Sequence, residues 1–228
     1  MKKIGIIVAM DSEFELVVAM LENKNEIKIN HLTILTGNVG DKTIYLARSG
    51  MGKVNSAVAT LEMIHNCEPE AIINTGVAGG IDKSLNVADI VVGEKTVYHD
   101  VWCGEGYEYG RIDGCPLYFN ANVDMYAKAM QISGDITIKG GLICSGDRFI
   151  TGEDELKKIK SDFPEGLAVD MESCSIAQVC YLFKVPFLSF RIISDTPGIE
   201  NHLGQYEDFW KLAPQKSFYV LKNLLIRL

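Results

Sequence analysis

The sequence has few of the features that mark several common protein classes. Its 228 residues include four histidines, His31, His65, His99 and His202, which are scattered along the chain. The six cysteines (Cys67, Cys103, Cys115, Cys144, Cys174 and Cys180) contain no Cys-x-x-Cys pair and no zinc-module spacing. No metal is therefore expected, and the thiols read as reduced. No apolar stretch approaches the roughly 20 residues that cross a bilayer, so no membrane partner is expected. The opening run Ile4–Ala9 meets Asp11 and Glu13 at once, which suits a first strand better than a secretion signal. That points to a cytoplasmic protein. Lys and Arg total 22 against 30 Asp and Glu, a formal charge of -8 with no basic cluster. Such a surface repels phosphate backbones, so nucleic acid is not an expected partner. There is no P-loop. Gly50-Met51-Gly52 has Asn55 where a dinucleotide fingerprint needs its third glycine.

Hydrophobic residues make up 47% and charged residues 23%, a globular balance, and the length suits one α/β domain over residues 1–228. Ile4–Ala9 reads as a buried strand feeding a helix with Phe14, Val17, Val18 and Leu21 on one face. His31–Thr36 and Thr43–Arg48 read as a hairpin around Gly37–Asp41. A helix over Lys53–His65 precedes a second buried strand, Ala71–Thr75, which opens into a glycine loop, Gly76–Gly80. Asp89–Tyr98 reads as a strand and residues 100–120 as irregular. Then come helix Val123–Met130, strand Ile136–Ser145, helix Asp154–Lys160, strand Leu167–Met171, helix Glu172–Phe183 and strand Pro186–Ile193. Tyr206–Leu228 reads as one long amphipathic helix. Alternating strands and helices imply a mainly parallel sheet covered on both faces, with ligands beyond the carboxyl ends of its strands.

Those strand ends carry Met10 and Glu13, Gly76–Gly80, Val169–Glu172, and Arg191–Asp195. Each acid has a plain structural reading. Glu13 and Glu172 suit the first turn of a helix, and Asp195 suits a turn with Thr196-Pro197-Gly198. The glycines suit a tight turn equally well. Taken together, the residues also describe an acidic cleft beside a close-approach backbone, and composition and spacing leave both readings open.

Several segments in order resemble the 5′-methylthioadenosine/S-adenosylhomocysteine nucleosidases. They are Ile4–Met10 with Glu13, Ser49–Lys53, Asn74–Gly80, Tyr98-His99-Asp100, Gly106–Gly110, Ser145–Ile150, Val169–Glu172 and Arg191–Asp195. The resemblance runs from about residue 3 to the final helix. It implies a nucleoside phosphorylase-like fold: a single-domain three-layer sandwich with a central mixed, mainly parallel sheet flanked by helices. It also implies a homodimer and hydrolysis of an adenine–ribosyl bond without metal or organic cofactor.

By that resemblance Asp195 is the general acid that protonates adenine, with Ser194 and Arg191 placed to orient it. An exposed Asp is ionised at neutral pH, so such a site must raise its pKa or feed it a proton. Glu172 is expected to hold the ribose hydroxyls and stabilise the developing cation. Glu13 is expected to activate the attacking water. Met171 would pack on the ribose, Phe149 on the adenine face, and the Ile150 backbone would read the adenine edge. Met10 and Met51 would wall the sugar and the 5′ substituent, Val77 would lie near the sugar, Gly79 would bind substrate, and Tyr206 would cover the 5′ side. A second subunit would complete the 5′ pocket through residues 101–104, with Pro116. The expected ligands are 5′-substituted adenine nucleosides. Val77 stands where the family often has Ser, and Asp170 where Glu is more usual. Two other readings compete: a phosphate-dependent nucleoside phosphorylase of the same superfamily, and a non-catalytic nucleoside-binding protein. A carboxylate at Glu13 would repel a phosphate nucleophile, which favours hydrolysis.

Overall fold

The structure is a computed structural model that describes residues 1–134, 136–199, 201–212 and 214–228. In chain order it runs β1 (Lys3–Val8), α1 (Asp11–Val18), β2 (Glu22–Ile29), β3 (Leu32–Val39), β4 (Lys42–Arg48), α2 (Lys53–Cys67), β5 (Ala71–Gly80) and β6 (Ile90–Tyr98). It continues with β7 (Phe119–Asn120), α3 (Val123–Met130), β8 (Ile138–Ser145), α4 (Glu153–Asp162), β9 (Gly166–Asp170), α5 (Ser173–Phe183), β10 (Phe187–Asp195), α6 (His202–Leu212) and α7 (Pro214–Arg227). Local chemistry explains several boundaries. Asn122 caps α3 by accepting the Met125 N–H at 3.1 Å. α2 stops where Glu68 turns left-handed (φ 47°), immediately before Pro69.

The strands form one mixed sheet. β4, β1, β5 and β10 pair in parallel at its centre, and β3 and β2 extend it as an antiparallel wing beyond β4. On the other side β10 pairs with β6, β6 with β8, β8 with β9, and β9 returns to β5. Those five strands therefore curl into a ring. Its interior is filled by one side chain from each strand, Ala78, Val91, Ile143, Ala168 and Ile193, with Leu85. Outside the ring the layers are those of an α/β sandwich. One face packs against α1, α3, α6 and α7 through Val17, Met125, Phe209 and Leu221. The opposite face packs against α2 and α5 through Ala59, Met63, Ile176 and Ala177.

Three expectations are corrected. Gly76–Gly80 is not a loop: β5 continues through it, paired with β10 as far as Gly79. The C-terminal helix is two, α6 and α7, and Pro214 opens the second, where a proline's missing N–H costs nothing. β2 was not expected, because its sequence ENKNEIKI is polar and almost wholly exposed. It survives as an edge strand by pairing with β3.

Candidate active site

The carboxyl ends of β1, β5, β9 and β10 open onto one cleft. Glu13, Glu172 and Asp195 all line it. So do Met10, Met51, Val77, Gly79, Phe149, Ile150, Met171, Ser194 and Tyr206. Residues to which the sequence assigned no binding role also line it, among them Ala9, Arg148, Val169 and Pro197. Position at a strand end, the signal used for the others, was available for Val169 and Ala9 as well.

Glu13 is held by a gap in the sheet. β1 pairs with β5 up to Asn74, and β9 takes over only at Gly79. The Val77 N–H between them donates to Glu13 Oε1 at 3.0 Å. The Ala9 and Met10 N–H groups donate to Oε2 at 2.9 and 3.0 Å. Glu13 thus caps its own helix and faces the cleft at once, so the structural and functional readings of this residue coexist. Burial pushes its carboxyl above the usual range, opposed by Arg191 and the three amides.

Glu172 follows β9 and is likewise pushed up by burial, with Arg191 pulling the other way. The Gly52 N–H at the start of α2 donates to its Oε1 at 2.9 Å. This use explains the Gly50-Met51-Gly52 segment, since Gly52 adopts φ +91°. Asp195 ends β10 and is buried, and its Oδ1 lies 2.7 Å from the Ser194 hydroxyl. The turn that follows is pinned by the Thr196 N–H to Gln205 Oε1 at 2.9 Å. Gly79 is small because a Cβ there would meet Pro197 Cγ at 2.7 Å.

Arg191 needs correction. It does not line the cleft but lies beneath it, fully buried. Its Nε is 2.8 Å from Asp170 Oδ2, its Nη2 is 3.4 Å from Glu172 Oε2, and it also bonds the Asn74 side chain and the Val77 carbonyl. Its guanidinium is taken up by these partners, so its place is to neutralise buried acids. Asp170, noted from sequence only as a departure, is the second part of this buried layer. The Ser145 and Ser173 hydroxyls both donate to it.

The rim is aromatic. Phe149 and Tyr206 meet edge to face at 5.9 Å, and Tyr206 meets Trp210 likewise at 6.2 Å. The Tyr206 hydroxyl donates to Met10 Sδ at 3.5 Å. Arg148, on the rim, is paired with Glu155. Arg48 pairs with Asp11 at 2.8 Å and does not line the cleft. Among the described residues, no set of three His, Cys, Asp or Glu side chains is arranged to hold a metal ion, and no helix is long and apolar enough to cross a membrane.

Three acids in one cleft, each in a different hydrogen-bonded setting, suit acid–base chemistry on a small, partly apolar ligand. Known proteins agree with that class. A family model described as Phosphorylase superfamily matches residues 3–226. A 5′-methylthioadenosine/S-adenosylhomocysteine nucleosidase from Colwellia psychrerythraea 34H, in complex with adenine, is 35% identical over 100% of this chain and 96% of that one, with a TM-score of 0.94. The corresponding Streptococcus pneumoniae enzyme, with a transition-state inhibitor, is 36% identical over 100% and 99% of the two chains, with a TM-score of 0.94. A futalosine hydrolase from Helicobacter pylori strain 26695 is 30% identical over 100% and 98%, with a TM-score of 0.92. Over nearly its whole described length, this chain belongs to the phosphorylase superfamily, in its nucleosidase branch.

Proposed function

We propose that residues 1–228 act as one cytoplasmic nucleosidase domain that hydrolyses 5′-methylthioadenosine and S-adenosylhomocysteine to adenine and the 5-thio-substituted ribose. The observation that carries this reading is the convergence of Glu13, Glu172 and Asp195 on one cleft whose underlying cation, Arg191, is already paired.

Cleaving the bond leaves an oxocarbenium-like sugar and an adenine with excess negative charge. Asp195, aligned by Ser194, gives its proton to adenine N7. Glu172 accepts from the ribose hydroxyls, and its charge favours the cationic sugar. Glu13 takes a proton from water as the oxygen bonds to the anomeric carbon. Phe149 covers the base, the Ile150 backbone reads its edge, and Met10, Met51, Met171, Val77 and Tyr206 enclose the sugar and the 5′ group. The chemistry draws on carboxyl groups and water. Exposed Trp102 and Met51 favour a homodimer in which residues 101–104 of a second copy close the 5′ side.

Phosphorolysis is the weaker reading. It needs a free basic cradle, whereas Arg48, Arg148 and Arg191 are each ion-paired and Glu13 occupies the nucleophile's side. A futalosine-type substrate is a second reading, favoured by the similarity to that hydrolase. The test is release of the free base from 5′-methylthioadenosine in phosphate-free buffer, repeated with phosphate and compared with base release from futalosine. Release without phosphate supports the proposal. Turnover only with phosphate makes it a phosphorylase, and preference for futalosine reassigns the 5′ pocket. Ligand binding with no turnover of any nucleoside makes it a binding protein.

A further inference from the structure

Three motifs in the sequence take no part in this chemistry: Lys53 at the start of α2, His99-Asp100 after β6, and Gly146-Asp147 after β8. The fold brings them together just outside the cleft. The Asp147 carboxylate accepts the Lys53 N–H at 2.7 Å. The Asp147 N–H donates to Asp100 Oδ2 at 2.8 Å. The Lys53 ammonium closes the circuit, 3.0 and 2.9 Å from the two Asp100 oxygens. Each of the three residues is thus bonded to the other two.

Two corners of the circuit adjoin the cleft. One residue before Lys53, the Gly52 N–H holds Glu172. Two and three residues after Asp147, Phe149 and Ile150 line the proposed base side. Successive amides at the start of α2 therefore bind one carboxylate inside the cleft and one on the base loop. Glycines make the fit possible. A Cβ on Gly52 would lie 2.9 Å from Asp147 Oδ1, and one on Gly146 would lie 2.6 Å from the His99 ring and 2.8 Å from Asp100 Cγ.

We infer that Lys53, Asp100 and Asp147 form a tie between the ribose side of the cleft and its base side, with Asp147 as the positioning residue at its centre. The inference rests on the roles proposed for Glu172, Phe149 and Ile150. None of the three tie residues lines the cleft, so they act through others. Their side chains are 25%, 18% and 46% exposed, so the ion pairs alone are weak. The directional bonds to two backbone amides carry the tie. Opening it frees both sides together, so base affinity and turnover fall in step.

The test compares Asp147→Ala, Asp147→Asn, Asp100→Ala and the double alanine variant. Adenine affinity is read by calorimetry, with kcat and KM for 5′-methylthioadenosine. Asp147→Ala is expected to weaken adenine binding and lower kcat/KM by about tenfold, the effect of one or two modest hydrogen bonds. Asp147→Asn keeps an acceptor for the Lys53 amide and recovers most of both. The double variant is no worse than the poorer single one, because the circuit is already open. Adenine affinity and kcat/KM within about twofold of the parent, even with a lower Tm, would overturn the tie. So would a fall in kcat alone, or an Asn variant as poor as Ala. If Asp147→Ala does not fold, Asp100→Ala, which removes the acceptor of the Asp147 N–H, is read in the same way and is expected to give a smaller fall in both; no fall overturns the tie. A parent that binds adenine but releases none from any nucleoside would refute the proposed function, and adenine affinity would still test the tie.

Discussion

The Val77 N–H donates to Glu13 Oε1 at 3.0 Å across the gap between β1 and β9. A sheet that leaves one amide unpaired there has room for a carboxylate from the next helix. Gly76 keeps that room open: a Cβ on it would lie 2.4 Å from Glu13 Oε1 and 2.8 Å from Arg191 Nη1. Glu13→Gln is expected to keep inhibitor binding and to lose about 10²-fold or more in hydrolysis, the usual contribution of a general base. Gly76→Ala should displace the carboxylate and lower kcat in the same direction. A Glu13→Gln enzyme with the parent's kcat would remove Glu13 from the mechanism.

Asp195 and Ser194 form a second pair, 2.7 Å apart. Asp195→Asn cannot deliver an acidic proton, so it should bind 5′-methylthioadenosine and fail to release adenine. The loss should be at least about 10²-fold in kcat. Ser194→Ala keeps the acid and loses only its alignment, so its loss should be smaller. Unchanged turnover in Asp195→Asn would assign the proton to another group.

The acid limb of the pH profile follows from burial. Glu13 and Glu172 are both pushed above the usual carboxylate range of about 4.3. Each is required ionised, so kcat/KM should fall on acidification at a midpoint above that value. Stability has the opposite sign. A raised folded-state pKa gives stability that is fully present below the unfolded value and lost as pH rises through the folded one. Unfolding of parent and Glu13→Gln across about pH 4 to 8 should therefore show the variant gaining on the parent as pH rises. A constant difference would contradict the raised pKa.

The main elements were legible because β1, β5 and β10 are apolar runs. β2 was not legible, since an exposed edge strand has no apolar face to reveal its period. The glycines after Thr75 read as a loop because glycine weakens any strand signal, whereas here they make way for Glu13 and Pro197. The cleft acids could be picked out at strand ends. The bonds beneath and beside them could not, because Arg191 to Asp170 and Lys53 to Asp147 join residues far apart in the chain.

Arg191 offers the sharpest test of that buried layer. Its guanidinium and the Asp170 carboxylate are each 1% exposed, and Glu172 shares the same cation. Removing one partner of such a pair leaves a charge in low dielectric, which costs about 3–5 kcal/mol. Arg191→Met, similar in length and apolar, should lose stability on that scale in urea unfolding. Arg191→Lys should fall between, because a point charge cannot span both carboxylates as a fork does. If the cost lies in the stranded acid, Asp170→Asn should restore part of the stability when added to Arg191→Met. A double variant less stable than Arg191→Met would place the cost in lost packing around the guanidinium, and Asp170 would then be holding the strand end through Ser145 and Ser173 alone.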